Sequence, residues 1–229
     1  MIKSEQAIKK LAELYFSQDL KENLLEGIIK TADLQIRLDT FLYGFGARTK
    51  SALEGQIPKT KSKLGKDAWN ELGRKFSLEA GIYAENLNEI SFEFPQFLIQ
   101  KKVADKFIEV CKLEILTLKV LRSELPIRLT MQQLLNKIEN ENKIVMQPHV
   151  QMMQTKLNII SEELDADDKQ LILWNQGGVV QVEVLTQQEN RTLRFILDNS
   201  DTHLISNNDS DEKSVASFFI KAIANNWLV

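Results

Sequence analysis

One stretch, LILWNQGGVVQVEVL, constrains the fold of this chain more than any other, because it is the clearest β-hairpin signal in the sequence. It runs from Leu171 to Leu185. Two runs rich in Val, Ile and Trp, which favour strands, flank the pair Gly177-Gly178. Glycine readily adopts the positive φ that a two-residue hairpin turn requires. A hairpin alone is only marginally stable in water, so this one is expected to pack against other elements.

The residues around the hairpin predict those elements. The segment IVMQPHVQMMQT favours a further strand, interrupted at Pro148. Thr186 and Glu189 have the spacing of a capping box, which predicts that a helix begins directly after the hairpin. Apolar residues around Phe218 recur at helical spacing and predict a last helix. The hairpin is therefore expected to lean on two helices through an apolar face.

The first half of the chain shows helical patterns throughout. Apolar residues recur at helical spacing. Gly44 and Gly46 mark a point where one helix is expected to end or kink. The helix after it is expected to stop before Pro58, because the residue that precedes proline avoids the α region.

These patterns predict a chain that is mostly α-helical with a small α+β C-terminal domain. An N-terminal helical bundle is expected to be followed by a three-stranded antiparallel sheet with two or three helices, a winged-helix-like arrangement. The expected divisions are a helical domain over 1–125, a connecting helix or linker over 126–142, and a small α/β domain over 143–229. In the connecting segment, Thr130 and Gln133 form a possible second capping box.

Composition excludes several classes of protein. Hydrophobic residues make up 43% of the 229 residues and the net charge is only −3, so a packed core is expected and disorder is not. No apolar run is long enough to span a bilayer, and the amphipathic start lacks the features of a signal peptide. The single cysteine, Cys111, excludes an internal disulfide and is consistent with a cytoplasmic location.

We find no catalytic or metal-binding constellation in the sequence. His149 and His203 lie in different segments, and neither has a metal-ligand spacing with Cys111. Cys111 lies among apolar residues of a predicted helix, which favours a buried structural role. The run Asp165–Asp168 lacks the glycine and glutamate of a calcium-binding loop and is interpreted as a solvated loop. We therefore assign no catalytic residue, no metal site and no cofactor to this chain.

The strongest charge feature is a basic run from Arg48 to Lys75. Such a run is typical of a solvated surface, of a phosphate-binding surface, or of a docking surface for an acidic protein. The candidate partner-docking residues are its first five cations: Arg48, Lys50, Lys59, Lys61 and Lys63.

The order of the motifs resembles the HvfC/BufC family, which was first labelled as a DNA-binding domain family. The resemblance covers nearly the whole chain and is carried by Arg37, Tyr43, Leu53, Pro58, Leu64, Gly65, Trp69, Leu72 and Phe76, and by the segments NLNEISFEFPQFL, CKLEILTLKVL, MQPHVQMMQTK and LILWNQ. The family usually has a His-Pro-x-x-Ser stretch after its Phe, where this chain has SLEAGIYAE. That departure indicates a divergent branch, such as the methanobactin-biosynthesis (MbnC-like) partner proteins.

The resemblance implies a specific function. Proteins of this kind accompany a TIM-barrel, multinuclear-iron oxidase that modifies cysteines in a ribosomally made precursor peptide. The companion is not the catalyst: it forms a heterodimer with the oxidase and helps to hold the leader of the peptide. Iron is then expected in the partner enzyme and no cofactor in this chain, with no membrane partner. The small second domain resembles recognition elements that add the leader as an extra strand.

The sequence also predicts where a leader strand would bind. A small sheet exposes an edge, and a free edge is a site for strand addition. On the last strand of the hairpin, alternate residues share a face, so the valines at even positions face one way and Gln181 and Glu183 the other. The candidate peptide-binding residues are Val179, Val180, Gln181, Val182, Glu183 and Val184. The polar face is expected to be wetter. Proline at Gln181 is expected to weaken leader binding, with damage to the hairpin itself as the other outcome.

Two other functions compete with this one. A DNA-binding transcriptional regulator is favoured by the older family label, by the basic run and by a winged-helix-like second domain. The acidic second half weighs against it, because its last helix has few basic residues to place in a major groove. A stand-alone enzyme is disfavoured because no catalytic group is identified.

Overall fold

The computed structural model describes residues 32–79, 86–124, 146–198 and 212–228, with four further positions between 130 and 136. Within these residues the chain forms seven α-helices, one short 3₁₀-helix and one three-stranded antiparallel sheet. The prediction of a largely helical chain with a three-stranded antiparallel sheet in its second half is confirmed. No helix in the described ranges is long and apolar enough to cross a membrane.

The chain divides into two compact units between Cys111 and Lys112. The sequence predicted a boundary at Pro126, which lies outside the described residues. The observed division falls within a long helix, and the second half of that helix belongs to the unit that contains the sheet.

The first unit is built from helices. They are α1 (Ala32–Gln56), α2 (Pro58–Leu64), α3 (Lys66–Glu79), a 3₁₀-helix (Ile90–Glu93), α4 (Phe94–Gln100) and the first half of α5 (Asp105–Arg122). As predicted, α1 ends just before Pro58, which begins α2. The helix does not end at Gly44 or Gly46, because α1 continues through both. A Cβ at Gly46 would lie 3.9 Å from the Cβ of Ser77 on α3, so Gly46 lies where α1 approaches α3.

An aromatic cluster forms the core of the first unit. Phe76 of α3 and Phe94 of α4 have ring centroids 5.0 Å apart, and Trp69 lies 5.7 Å from Phe94. Phe97, one turn along α4, lies 5.2 Å from Phe76. All four side chains are buried, so Trp69 and Phe76 place one apolar stripe of α3 in this core.

The second unit contains the sheet. Its elements are β1 (Val150–Leu157), β2 (Leu164–Gln176), β3 (Val179–Leu185), α6 (Gln187–Asp198) and α7 (Glu212–Ala224), with the second half of α5. The predicted hairpin is confirmed: β2 and β3 pair antiparallel, and Gly177 and Gly178 have φ of 63° and 87°. The turn is further held by the backbone N–H of Gly178, which donates to Asn175 Oδ1 at 2.9 Å.

The β2 strand is longer than predicted and includes the acidic run Asp165–Asp168. The interpretation of that run as a loop is wrong. Gln154 donates to Asp168 at 3.1 Å across the β1–β2 pair, and Lys169 pairs with Asp165. The pairing with β1 is irregular there, because Thr155 pairs with Lys169 while Leu157 pairs with Leu164.

Helices cover both faces of the sheet. On one face, α6, α7 and the C-terminal segment pack on the sheet through Val150, Ile172, Trp174, Leu193, Phe218, Ala222 and Trp227. On the other face, α5 packs on the sheet through Leu113, Leu116, Val120, Met153, Leu171, Leu173, Val180 and Val182. The hairpin therefore leans on the two predicted helices on one side and on α5 on the other. This double cover explains how so small a sheet is stable.

Both predicted capping boxes form. The backbone N–H of Glu189 donates to Thr186 Oγ1 at 3.2 Å, and the Thr186 N–H donates to the Glu189 carboxylate at 2.8 Å. The same reciprocal bonds join Thr130 and Gln133, at 2.9 and 3.2 Å. Each cap satisfies N–H groups that a helix start would otherwise leave without partners.

Candidate functional site

The outer side of β3 is the candidate site. The strand order β1-β2-β3 makes β1 and β3 the two edge strands. Among the described residues, no strand pairs with the outer side of β3. At the other edge, the segment before β1 is tied to the C-terminal segment, because Met146 bridges Leu228 and the Gln147 N–H donates to the Trp227 carbonyl at 2.9 Å.

The register of the hairpin determines which backbone groups of β3 face outward. A two-residue turn with positive φ at both glycines closes on a hydrogen-bonded pair, here Gln176 and Val179. Hydrogen-bonded pairs alternate along an antiparallel ladder, so every second residue after Val179 also bonds toward β2. The intervening Val180, Val182 and Val184 therefore direct their N–H and C=O groups to the free side.

This alternation determines what proline at Gln181 would do. Gln181 lies opposite Trp174 and belongs to the set that bonds toward β2. Of the two outcomes named for this substitution, the geometry favours damage to the hairpin itself, because the Gln181 N–H is not among the outward groups. Val182, at the centre of the outward set, is the position where proline would block the free edge.

The two faces of β3 differ in chemistry more than in exposure. Val180 and Val182 pack against the cluster under α5 and are half-buried, whereas Val184 is 41% exposed. Gln181 and Glu183 lie on the side of α6 and α7 and are also half-buried. The polar face is partly covered, because α7 supplies a charged partner for Glu183, whereas Val179 at its end is 59% exposed.

That partner is Lys221, whose ammonium joins two carboxylates. Its Nζ pairs with Glu183 of β3 and lies 2.6 Å from Glu189 of the α6 capping box. The same Nζ lies 5.7 Å from the ring centroid of Trp227, within cation–π range. The cluster thus connects the edge strand to both helices that follow it.

The cluster shifts the pKa values of its members. Burial raises the pKa of Glu189, but hydrogen bonds from Lys221 and Thr186 outweigh it, so the pKa lies below the ordinary 4.5. Burial lowers the pKa of Lys221, but the bonds to Glu183 and Glu189 outweigh it, so the pKa lies above the ordinary 10.5. Both groups are therefore charged near neutral pH.

Lys221→Met is expected to destabilise the second unit by about 1 kcal/mol near neutral pH and to flatten its response to acid. Because the pKa of Glu189 is lowered, its stabilising contribution is present above pH 4.5 and is lost as the pH falls through the folded value. The contribution of Lys221, whose pKa is raised, is present below pH 10.5 and is lost only as the pH rises through the folded value. Urea unfolding followed from neutral to acid pH measures the difference. Parallel pH profiles for the parent and the variant would contradict it.

The basic run lies on α1, α2 and α3 and is partly neutralised within the chain. Lys61 pairs with Glu54 at 2.9 Å, and Lys50 lies 4.0 Å from the same carboxylate and donates to Asn70 at 2.7 Å. Trp69 also donates to Glu54 at 2.9 Å. Hydrogen bonds from Lys61 and Trp69 hold the pKa of Glu54 below its usual range.

The other three docking candidates, Arg48, Lys59 and Lys63, have exposed side chains. Lys59 and Lys63 lie on α2 and Arg48 lies on α1. Lys50 and Lys61 are half-buried beside Glu54, whereas these three are exposed.

The remaining candidate residues are buried or undescribed. His149 is fully buried just before β1, neither ring nitrogen has a hydrogen-bond partner among the described residues, and burial lowers its pKa. His203 lies outside the described residues, and Cys111 is buried with a free thiol. Within the described ranges, no three His, Cys, Asp or Glu side chains are grouped to hold a metal.

Sequence reasoning missed Lys221. Its signal was present, because Lys221 is the only charged residue in the run FFIKAIA, and a single charge on an apolar helix needs a partner. Only the folded chain shows that the partners are Glu183 and Glu189.

Comparison of the chain with protein-family models found no match, and a search of curated proteins likewise found none.

Proposed function

We propose that this chain is a non-catalytic accessory subunit that binds the leader of a ribosomally made precursor peptide and a TIM-barrel, multinuclear-iron oxidase. The complex would support cysteine modification in the biosynthesis of a methanobactin-like product in the cytoplasm. The iron belongs to the oxidase, and this chain adds no metal. The observation that carries the proposal is the outer side of β3, with outward backbone groups at Val180, Val182 and Val184.

The chemistry of the edge supports binding of an extended peptide. An added strand can pair its own N–H and C=O groups with the outward groups of β3, which provides affinity without a catalytic group. Helices cover both faces of the sheet behind the edge, so the strand has a rigid base. In this proposal the second unit is a leader-recognition element rather than a winged helix, and the first unit is a helical bundle.

The exposed part of the basic run is the proposed docking surface for the oxidase. Arg48, Lys59 and Lys63 have exposed side chains, and an acidic patch on the oxidase would complement them. Lys50 and Lys61 contribute less in this proposal, because both are half-buried beside Glu54.

The proposal is tested by reconstitution with a TIM-barrel, multinuclear-iron oxidase and its precursor peptide. We expect a heterodimer with the oxidase, tighter binding of the precursor by the heterodimer than by either protein alone, and iron only in preparations that contain the oxidase. The precursor without its leader is the matched control and should bind at least about tenfold more weakly. Equal binding of the two peptides, or no heterodimer, would refute the proposal.

Duplex DNA should bind the chain only weakly, with Kd on the order of micromolar or weaker at physiological salt and no sequence preference. The reason is that α7 has only two basic residues, Lys213 and Lys221, and two carboxylates already hold Lys221. A fluorescence titration with unrelated duplexes measures this. Nanomolar binding to one defined sequence would favour a transcriptional regulator instead.

A further inference from the structure

We infer that the segment bound at β3 alternates in character, with apolar side chains opposite Val180, Val182 and Val184 and polar side chains between them, one of them basic and opposite Glu183. This inference rests on the proposed function, because it names the class of peptide that the same edge selects. It specifies a pattern of about five residues and no particular sequence.

The backbone sets the pairing. Because the outward N–H and C=O groups belong to the three valines, an antiparallel peptide strand makes its hydrogen-bonded pairs with them. Directly opposed residues place their side chains on the same face of the sheet. Alternate peptide side chains therefore lie beside the valines on the α5 face, and the others lie beside Gln181 and Glu183 on the face of α6 and α7.

The burial of the α5 face requires an apolar neighbour. Leu171 and Leu173 of β2 are fully buried there. Their partners on β3 are more exposed: Val182 is half-buried and Val184 is 41% exposed. The apolar side chains on this face are thus less buried on β3 than on β2. Apolar side chains on one more strand would cover the exposed surface of the valines.

On the opposite face of the sheet, the side chains change from apolar on β2 to polar on β3. Ile172 and Trp174 of β2 are buried and apolar, but their partners on β3 are Glu183 and Gln181. An apolar side chain placed beside this pair would remove water from a carboxylate and an amide without offering them a partner. The second set of peptide side chains is therefore polar.

The charge of that face favours a cation. Glu183 and Glu189 share the single ammonium of Lys221, so the cluster carries one negative charge in excess. The Glu183 side chain is 35% exposed and thus accessible from the edge. A lysine or arginine opposite Glu183 would balance the excess, whereas an acidic residue would add repulsion.

The test uses short labelled synthetic peptides and the full chain. The first peptide has the core Val-Lys-Val-Thr-Val, and its control has the same composition with the valines adjacent. A third peptide replaces lysine by glutamate. We expect the alternating peptide to bind at least about tenfold more tightly than the rearranged one and about fivefold more tightly than the glutamate version.

Two chain variants locate the effects. Val184→Thr, at an exposed position and of nearly equal volume, should weaken the alternating peptide about threefold, and Glu183→Gln should remove the preference for lysine over glutamate. Equal binding of the alternating and rearranged peptides, or a lysine preference that survives Glu183→Gln, overturns the inference. If the alternating and rearranged peptides bind equally and Val182→Pro abolishes the binding of both, the peptides bind at the edge and only the inferred pattern is wrong. If Val182→Pro has no effect, the edge is not the site and the proposed function fails with it.

Discussion

Val182→Pro is expected to weaken binding of the precursor leader by about 10- to 100-fold while the chain remains folded. Proline removes the central outward N–H of β3, and its ring occupies space that the added strand needs. The bonds of β3 to β2 are spared, because the Val182 N–H faces the free side. Proline is tolerated on an edge strand in this orientation.

Two variants separate the backbone effect from loss of the side chain. Val182→Ala removes the same packing under α5 but keeps the N–H, and it should cost less than about fivefold in leader affinity. Gln181→Pro should instead lose the hairpin and show a changed circular dichroism spectrum, because its N–H bonds toward β2. Leader affinity unchanged in a folded Val182→Pro chain would move the site to the other edge strand, β1, near Val150 to Thr155.

The elements that the sequence predicted correctly depend on neighbours in the chain. The turn at Gly177-Gly178 needs only two residues that accept positive φ, and the cap between Thr186 and Glu189 spans one helical turn. The end of α1 before Pro58 follows from a clash between adjacent residues. No knowledge of the distant fold is needed for these features.

The wrong predictions depend on distant neighbours. Glycine weakens a helix by only about 1 kcal/mol, and packing of α1 near Ser77 of α3 is enough to carry the helix through Gly46. The acidic run from Asp165 joins β2, where Gln154 of β1 donates to Asp168 across the strand pair. Neither of these contacts between elements can be deduced from local patterns.

The sequence predicted which strand forms the candidate site, but not which backbone groups of that strand point outward. The hairpin identified β3 as a possible edge, yet the direction of each N–H follows from the register with β2, which puts Val182 outward and Gln181 inward. The predicted docking residues could likewise not be distinguished from one another in the sequence. Only the fold shows that Glu54 lies beside Lys50 and Lys61.

Trp227→Ala is expected to cause the largest loss of stability in the second unit, about 3–5 kcal/mol. The Trp227 side chain is fully buried, and its ring centroid lies 5.1 Å from that of Trp174 and 6.2 Å from that of Phe218. Removing it opens a cavity between the sheet and α7 and takes away the aromatic surface near Lys221. Hydrogen exchange read by mass spectrometry should show protection falling more than about hundredfold in β1, β2 and β3.

Trp69→Ala is the matched control, because Trp69 is equally buried and packs against Phe94 in the first unit. It should lower protection in α1, α3 and α4 while β2 and β3 keep theirs, and Trp227→Ala should do the reverse. This reciprocity follows from the division between Cys111 and Lys112, since each tryptophan contacts residues on one side of it. If either substitution lowered protection equally in both units, the chain would unfold as one cooperative body and α5 would transmit the loss.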